Sequence, residues 1–211
     1  WSPGTMDEER MFFDAQGVKI EGRLGGDCAR GAVVITHPHP LYGGDMDNPV
    51  VESVARAYAE KGMATLLFNF RGVGRSQGRY DEGMGEQEDV TGAVAHLREL
   101  GVGSVDLAGY SFGAWVNARV LGSLQEVGRM IMVSPPVDFM DLHYTPRLRL
   151  VIAGDQDDFG PAHRIKELLP LWNPECDFQI ISGADHFYGG KAHVLEGVIE
   201  AFLNRDSAHK D

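Results

Sequence analysis

Cysteine and positive charge are both scarce in this chain of 211 residues. The two cysteines, Cys28 and Cys176, lie far apart and match no metal-ligand or redox spacing, which argues against a disulfide framework. Lysine and arginine number 19 against 31 aspartates and glutamates, so the formal net charge is −12. Because phosphate backbones are recognised by clustered positive charge, we expect no nucleic-acid partner.

Long apolar runs and targeting signals are missing as well. No apolar run approaches the ~18 residues of a membrane span, and the opening sequence WSPGTMDEER lacks the basic-then-apolar order of a signal peptide. We therefore expect a cytoplasmic, soluble protein with no membrane partner. Residues 1–5 precede Met6, a plausible start, and are interpreted as a remnant of the expression vector. Residues 6–211 contain no repeat or linker and are predicted to form one domain.

Short β-branched apolar runs alternate with helical segments through most of the chain. Asn48, Pro49 and Gly62, for example, suit the cap, first turn and end of one helix. Strands are predicted at 31–36, 64–70, 104–110, 129–134, 147–154 and 177–182, helices at 48–62, 85–101, 112–124, 161–172 and 191–205, and a hairpin at 11–26. This order predicts an α/β fold with a mostly parallel sheet covered by helices on both faces. Functional residues should then follow the carboxyl ends of the strands.

The pattern Gly-X-Ser-X-Gly occurs twice, at residues 74–78 and 109–113. In a chain with 27 glycines the pattern alone is weak. Ser111 follows a predicted strand and precedes a helix, the strand–turn–helix context of a serine nucleophile. Ser76 lies in a polar, glycine-rich stretch typical of a loop. That stretch, RGVGRSQG, also misses the spacing of a dinucleotide cradle by one residue and opens no helix. We therefore interpret Ser111 as the nucleophile and predict no cofactor.

A serine nucleophile needs a histidine base and an acid that orients it. Among the eight histidines, His186 follows the last predicted strand; the alternative is an ordinary polar histidine in a loop. The preceding strand ends at AGDQDDFGP, which supplies three candidate acids, Asp155, Asp157 and Asp158. All three kinds of residue thus follow strands, in the order serine, acid, histidine that accompanies a nucleophile of this kind.

These segments together resemble the α/β-hydrolase superfamily, in particular its small bacterial members without a cap domain, related to dienelactone hydrolases and carboxylesterases. The resemblance extends from about residue 10 to residue 204. It rests on THPHPLYGGDMDNPVV (36–51), FNFRGVGRSQG (68–78), GYSFG (109–113), GDQDD (154–158) and GADHF (183–187). The family's Gly-X-X-Asp motif implies Asp157 as the acid, with Asp155 as the fallback. Dienelactone hydrolases proper carry a cysteine where this chain has Ser111, which favours a serine esterase.

Two backbone N–H donors should stabilise the oxyanion that forms during acyl transfer. Phe112 follows the nucleophile at the N-terminus of a helix and is one predicted donor. In the loop HPHPLYGG, Pro38 and Pro40 have no N–H, which leaves His39, and the family's loop indicates the same residue. A metal pair of His37 and His39 is the alternative. It is disfavoured because residues two apart on an extended chain point to opposite sides and no third ligand is near, so no metal is predicted.

The predicted function is hydrolysis of small-molecule carboxylic esters with small to medium acyl groups. Only residues 135–146 separate the strands where a cap usually enters, so we expect an open site without a cap. The apolar residues predicted to bind substrate are Leu41, Tyr42, Phe139, Leu142 and Phe187, with Met140, Tyr144 and Tyr188 as further candidates; ordinary packing is the alternative for each. A thioester or acyl-peptide substrate would use the same machinery, and a non-catalytic hydrolase-like binding module is a second class of function. The sequence does not indicate the oligomeric state.

Overall fold

The computed structural model describes residues 8–207, so the predicted vector remnant at residues 1–5 lies outside the described part. The strands are β1 (Glu8–Ala15), β2 (Val18–Gly25), β3 (Ala32–Thr36), β4 (Ala64–Phe68), β5 (Val105–Tyr110), β6 (Val127–Val133), β7 (Leu148–Gly154) and β8 (Asp177–Ile181). The helices are α1 (Pro49–Ala59), α2 (Gly85–Glu99), α3 (Phe112–Val120), α4 (Ala162–Trp172) and α5 (Ala192–Ser207).

All eight strands form one sheet in the order β1-β2-β4-β3-β5-β6-β7-β8. The strands β1 and β2 form the predicted hairpin, and β2 pairs with β4 in antiparallel fashion. Every other pairing is parallel. At the hairpin turn Gln16 and Gly17 have φ of 51° and 86°, which matches the right-handed twist of the flanking strands. The mostly parallel α/β fold is therefore confirmed.

Helices cover both faces of the sheet, because each presents an apolar stripe to it. On one face α1 and α5 bury Val50, Val54, Leu195 and Ile199, whereas α2, α3 and α4 pack into a separate core on the other face. The side chain of Asn48 accepts a hydrogen bond from the amide of Val50 and caps α1, as its position predicted.

The end of α3 and the segment between β6 and β7 are the two local features that bear on the predictions. The helix predicted at residues 112–124 ends at Val120 and continues as a short 3₁₀ turn, Leu121–Ser123, which contains a glycine that disfavours the α-helix. Between β6 and β7 the chain forms only the 3₁₀ turn Val137–Phe139 and irregular backbone. No cap helix covers the site in that segment. Within residues 8–207 no helix is both long enough and apolar enough to cross a bilayer.

Candidate active site

Ser111 occupies a strained turn between β5 and α3. Its φ of 54° and ψ of −117° lie in a region that costs a non-glycine residue about 1–3 kcal/mol. The glycines beside it allow the turn to pack closely. A Cβ at Gly109 would lie 2.5 Å from the Cα of Ala114, and one at Gly113 would lie 2.5 Å from the Oγ1 of Thr36. Both glycines are therefore required by the close approach of neighbouring atoms.

Three predicted site residues meet at the carboxyl ends of their strands. The Oγ of Ser111 is 2.9 Å from Nε2 of His186. The Nδ1 of His186 is 3.0 Å from each carboxylate oxygen of Asp157. An ionised carboxylate only accepts hydrogen bonds, so Nδ1 carries the hydrogen and Nε2 is free to accept one from the serine. The structure thus joins Ser111, His186 and Asp157 in a continuous hydrogen-bonded chain.

Asp157 is held as a carboxylate by donors on several sides. Its Oδ1 accepts hydrogen bonds from the amides of Phe159 and Gly160 at 2.9 and 2.8 Å. Burial alone would raise the pKa of Asp157, but the polar groups of His186, Ser134 and the Gly160 amide together lower it below the ordinary value. The carboxylate is therefore ionised at neutral pH and able to orient the imidazole.

The other two aspartates of this loop lie elsewhere. Asp155 is exposed, and its Oδ1 accepts a hydrogen bond from the amide of Gly183 at 2.8 Å, which ties two loops together. Asp158 is also exposed. Only Asp157 of the three predicted candidates bonds to His186. Their position after a strand could not distinguish the three aspartates, because all of them lie in the same loop and its detailed backbone path decides which carboxylate is buried.

His39 lies in a tightly folded loop opposite the serine turn. Its carbonyl accepts from the amides of Tyr42 and Gly44, both at 3.1 Å. A Cβ at Gly44 would lie 2.1 Å from the Pro38 carbonyl oxygen, so only glycine fits there. The rings of His39 and Phe112 have centroids 4.9 Å apart. Among residues 8–207 neither residue's amide donates to a protein acceptor. Both predicted oxyanion donors are therefore free to bind another acceptor.

The imidazole of His39 reinforces this loop. Its Nδ1 accepts a hydrogen bond from the Leu41 amide at 3.2 Å, and its Nε2 lies 3.3 Å from the hydroxyl of Tyr80. Burial lowers the pKa of His39, which favours the neutral ring that this pattern requires. Sequence reasoning missed Tyr80, since no spacing relates it to a strand end.

His37 is engaged at both ring nitrogens. Its Nδ1 donates to the carbonyl of Pro38 at 2.7 Å, and its Nε2 accepts from the amide of Phe70 at 3.0 Å. Full burial lowers the pKa of His37 to about 4. With both nitrogens occupied, His37 has no lone pair to offer a metal. No cluster of three or more metal-ligating side chains occurs among the described residues.

Ser76 is a buried structural residue. Its hydroxyl donates to the carbonyl oxygen of Asn69 at 2.6 Å and accepts from the amide of Glu21 at 3.0 Å. These bonds tie the loop after β4 to β2. The second Gly-X-Ser-X-Gly pattern therefore holds a loop in place.

The predicted substrate-binding residues differ in exposure. Four of them are more than half exposed: Leu41, Tyr42, Phe139 and Phe187. Leu142 is half-buried and packs partly against the core. Tyr188 is only 3% exposed and its hydroxyl bonds to Ser134, so ordinary packing, the alternative given for these candidates, describes its position. Phe159, which sequence reasoning missed, contacts the imidazole of His186 with ring centroids 4.9 Å apart.

Known proteins resemble this chain over most of its length. Residues 33–208 match the model of the alpha/beta hydrolase family. An uncharacterized protein of Rickettsia prowazekii (strain Madrid E) is 33% identical over 209 residues, covering 92% of this chain and 88% of that protein. The structure of an alpha-beta serine hydrolase homologue from Coxiella burnetii is similar, with 33% identity, a TM-score of 0.83, and coverage of 96% of this chain and 100% of that chain. A serine hydrolase without lid from Xanthomonas campestris has 28% identity, a TM-score of 0.85, and coverage of 97% of each chain.

Proposed function

Because the chain belongs to the alpha/beta hydrolase family, we propose that it is a serine carboxylesterase that cleaves small-molecule esters. The observation that carries the proposal is the hydrogen-bonded chain from Ser111 through His186 to Asp157, built on a strained turn between strand and helix. A fold alone hosts many functions. A nucleophile, a base and an orienting acid within hydrogen-bond distance are the specific requirement of acyl transfer.

Acylation begins at the Ser111 hydroxyl. Its Oγ attacks the carbonyl carbon of the ester while Nε2 of His186 takes the proton. Asp157 holds the imidazole in the required tautomer and stabilises the imidazolium that forms. The carbonyl oxygen becomes an oxyanion and receives hydrogen bonds from the amides of His39 and Phe112. When the tetrahedral intermediate collapses, the alcohol leaves with the proton from His186 and the acyl group stays on Ser111.

Deacylation repeats the same steps with water as the nucleophile. His186 takes a proton from water as its oxygen attacks the acyl carbon, and the same two amides stabilise the second oxyanion. Collapse of that intermediate returns the proton from His186 to the oxygen of Ser111 and releases the carboxylic acid. The chemistry needs no group beyond side chains, backbone amides and water.

The open surroundings of Ser111 support a small soluble ester as substrate. The segment between β6 and β7 contributes one 3₁₀ turn, Val137–Phe139, and no cap helix. Apolar side chains that face solvent near this turn and the His39 loop include Phe139, Leu41 and Tyr42. Such side chains can bind the acyl chain of a small to medium ester without a closing segment. The proposed partner is therefore a dissolved small molecule.

A substrate panel tests the proposal. Purified protein is assayed on p-nitrophenyl esters from acetate to palmitate, on matched thioesters and on aminoacyl amides, with Ser111→Ala as the control. We expect saturable ester hydrolysis that is fastest at short or medium chain length, unaffected by exhaustive chelation and absent from the control.

Each other outcome would change the proposal in a different way. Faster hydrolysis of the matched thioesters or amides would make the protein a thioesterase or an acyl-peptide hydrolase. A sharp rise in rate at the solubility limit of a long ester would reveal a mobile cover. Activity lost on chelation and restored by zinc would establish a metal site. Folded protein that turns over no member of the panel would favour the binding module.

A further inference from the structure

Strained backbone is concentrated around the candidate active site. Five non-glycine residues among 8–207 have positive φ, and three belong to this region: Ser111 at 54°, Ser134 at 46° and Tyr188 at 56°. Such residues persist only where the surrounding structure holds them. The strain at Ser111 belongs to the nucleophile turn. Ser134 and Tyr188 have no part in the steps described above, so their strain needs another explanation.

The hydroxyls of Ser134 and Tyr188 meet inside the protein, 2.7 Å apart. Ser134 has no exposed surface and Tyr188 is 3% exposed. Ser134 follows β6 directly, and its amide donates to the Ile152 carbonyl of β7 at 2.8 Å. Tyr188 lies two residues beyond His186. The hydroxyl contact therefore joins the end of β6 to the loop that carries the histidine.

The loop that carries Asp157 packs against the same point. A Cβ at Gly160 would lie 2.6 Å from the carbonyl oxygen of Pro135, 3.5 Å from Oδ2 of Asp157 and 3.5 Å from the carbonyl carbon of Ser134. Glycine at this position thus lets the two loops approach each other. The Ser134 hydroxyl is one of the groups that lower the pKa of Asp157.

The direction of the hydrogen bonds follows from the chemistry of the groups. An ionised Asp157 cannot donate, so a hydrogen bond between it and Ser134 uses the hydrogen of the serine. Tyr188 must then donate its own hydrogen to the oxygen of Ser134. Burial raises the pKa of Tyr188, so its phenol keeps that hydrogen throughout the range in which an esterase works.

We propose that Ser134 and Tyr188 are positioning residues for the triad: Tyr188 donates to Ser134, and Ser134 donates to Asp157. The pair fixes the carboxylate against the imidazole of His186 and supports its negative charge. No proton is transferred along the pair, since each hydroxyl keeps its hydrogen. The inference rests on the proposed function, because it assigns two more residues to the same site.

A purely structural role is the competing explanation, and two buried side chains elsewhere serve as matched controls. Ser76 is a buried serine whose hydroxyl bonds only to backbone groups, those of Asn69 and Glu21. Tyr58 is a fully buried tyrosine beside Asp106, at the opposite end of β5 from Ser111. Ser76→Ala and Tyr58→Phe remove the same atoms as Ser134→Ala and Tyr188→Phe without touching the triad.

The experiment measures kcat, KM and the pH dependence of kcat/KM for these four variants and for the double variant Ser134→Ala/Tyr188→Phe. We expect each site variant to lower kcat about tenfold or more with KM within about twofold. Ser134→Ala removes the hydrogen bond to the charged carboxylate, and Tyr188→Phe removes the hydrogen bond that holds the Ser134 hydroxyl in place. The kcat of the double variant should lie within about twofold of the kcat of the less active single variant, because both substitutions break the same chain of hydrogen bonds. The acid limb of the profile should move to higher pH in the site variants only, because the unsupported carboxylate holds the imidazolium more strongly.

A second measurement does not depend on turnover. The low-field proton NMR signal of the His186 Nδ1–H should shift in Ser134→Ala and Tyr188→Phe but not in Ser76→Ala or Tyr58→Phe. Ser134→Gly, which accepts a positive φ without strain, replaces Ser134→Ala if the latter fails to fold. Site variants that match their controls in kcat, pH profile and NMR signal would overturn the inference. If the wild-type protein hydrolysed no ester while the NMR shift occurred, the proposed function would fail and the positioning role would stand.

Discussion

Residues 74–78 and residues 109–113 carry the same Gly-X-Ser-X-Gly pattern, but their serines meet different surroundings. The Ser76 hydroxyl is buried and bonds to two backbone groups of neighbouring segments. The Ser111 hydroxyl is only partly buried and faces Nε2 of His186 at 2.9 Å. A hydroxyl that is saturated by backbone groups holds a loop together. A hydroxyl beside an imidazole that is itself held by a carboxylate can lose its proton and react.

The glycines of the two patterns are also required by different neighbouring groups. A Cβ at Gly74 would lie 2.5 Å from Nδ2 of Asn69 and 2.9 Å from Oε2 of Glu21, so this glycine makes room for a buried polar cluster. Gly109 and Gly113 make room for helix α3 against the sheet. The same five-residue pattern thus arises from two unrelated packing requirements, and only the elements around it distinguish them.

The difference between the two serines is tested most directly by replacing each of them with alanine. Ser111→Ala should lower kcat by about 10⁶-fold, because the nucleophile is lost. Ser76→Ala should keep kcat within a few-fold while destabilising the fold by about 1–3 kcal/mol, since buried backbone groups lose their partner. Ester kinetics and urea denaturation of both variants check this. A kinetically inactive Ser76→Ala with normal stability would reverse the assignment of the two turns.

The candidate acids Asp157 and Asp155 offer a second paired test. Asp157→Asn should lower kcat by about 10⁴-fold, because the imidazole loses the charge that fixes its tautomer. Asp155→Asn should stay within a few-fold, because an asparagine oxygen can still accept from the amide of Gly183. Both are measured on the ester that the wild-type protein cleaves fastest. Small and equal losses would place the triad acid at another residue, Asp158 first.

His37 and His186 show the same contrast as the two serines: both ring nitrogens of His37 bond to backbone groups, whereas Nε2 of His186 faces the hydroxyl of Ser111. His37 bonds to the Phe70 amide at the start of the loop that holds Ser76, and its pKa falls from 6.5 to about 4. A lowered histidine pKa means that the unfolded chain binds the proton more tightly. Stability is therefore lost as the pH falls from 6.5 to about 4, by about 3 kcal/mol.

The variant His37→Gln removes this titration while keeping a donor and an acceptor. Urea denaturation at pH 7 and pH 4 should show that the wild-type protein loses about 3 kcal/mol more stability than the variant between those values. Equal losses would mean that His37 does not stay neutral in the folded protein.

The smallest effect is expected at two apolar residues in the segment between β6 and β7, the exposed Phe139 and the half-buried Leu142. Replacing Phe139 and Leu142 together by alanine should shift the preferred acyl chain length without destroying catalysis, because one methylene more or less in an apolar pocket changes kcat/KM by only about 10–200-fold. The matched control is Ile180→Ala, an exposed apolar residue on the edge strand β8. Unchanged preference in the double variant would remove these two residues from the substrate-binding surface.

The fold was largely predictable because alternating strands and helices leave few architectures, and the strand-end rule drew attention to Ser111 and His186. Those two residues do lie within hydrogen-bond distance, while their catalytic roles stay predictions. Asp157 could be distinguished from its neighbours only through the family's motif. The buried position of Tyr188 was not predictable from spacing, because its hydroxyl meets that of Ser134, a residue far away in the sequence.

The most direct measurement of the central claim is covalent labelling with a fluorophosphonate probe, read by intact mass and peptide mapping. A serine reacts with such a probe when a neighbouring base removes its proton, and Ser111 alone of the two pattern serines has that base. We expect a single adduct on Ser111 in the folded protein and no adduct in Ser111→Ala. An adduct on Ser76, or folded wild-type protein that takes up no label, would contradict the account.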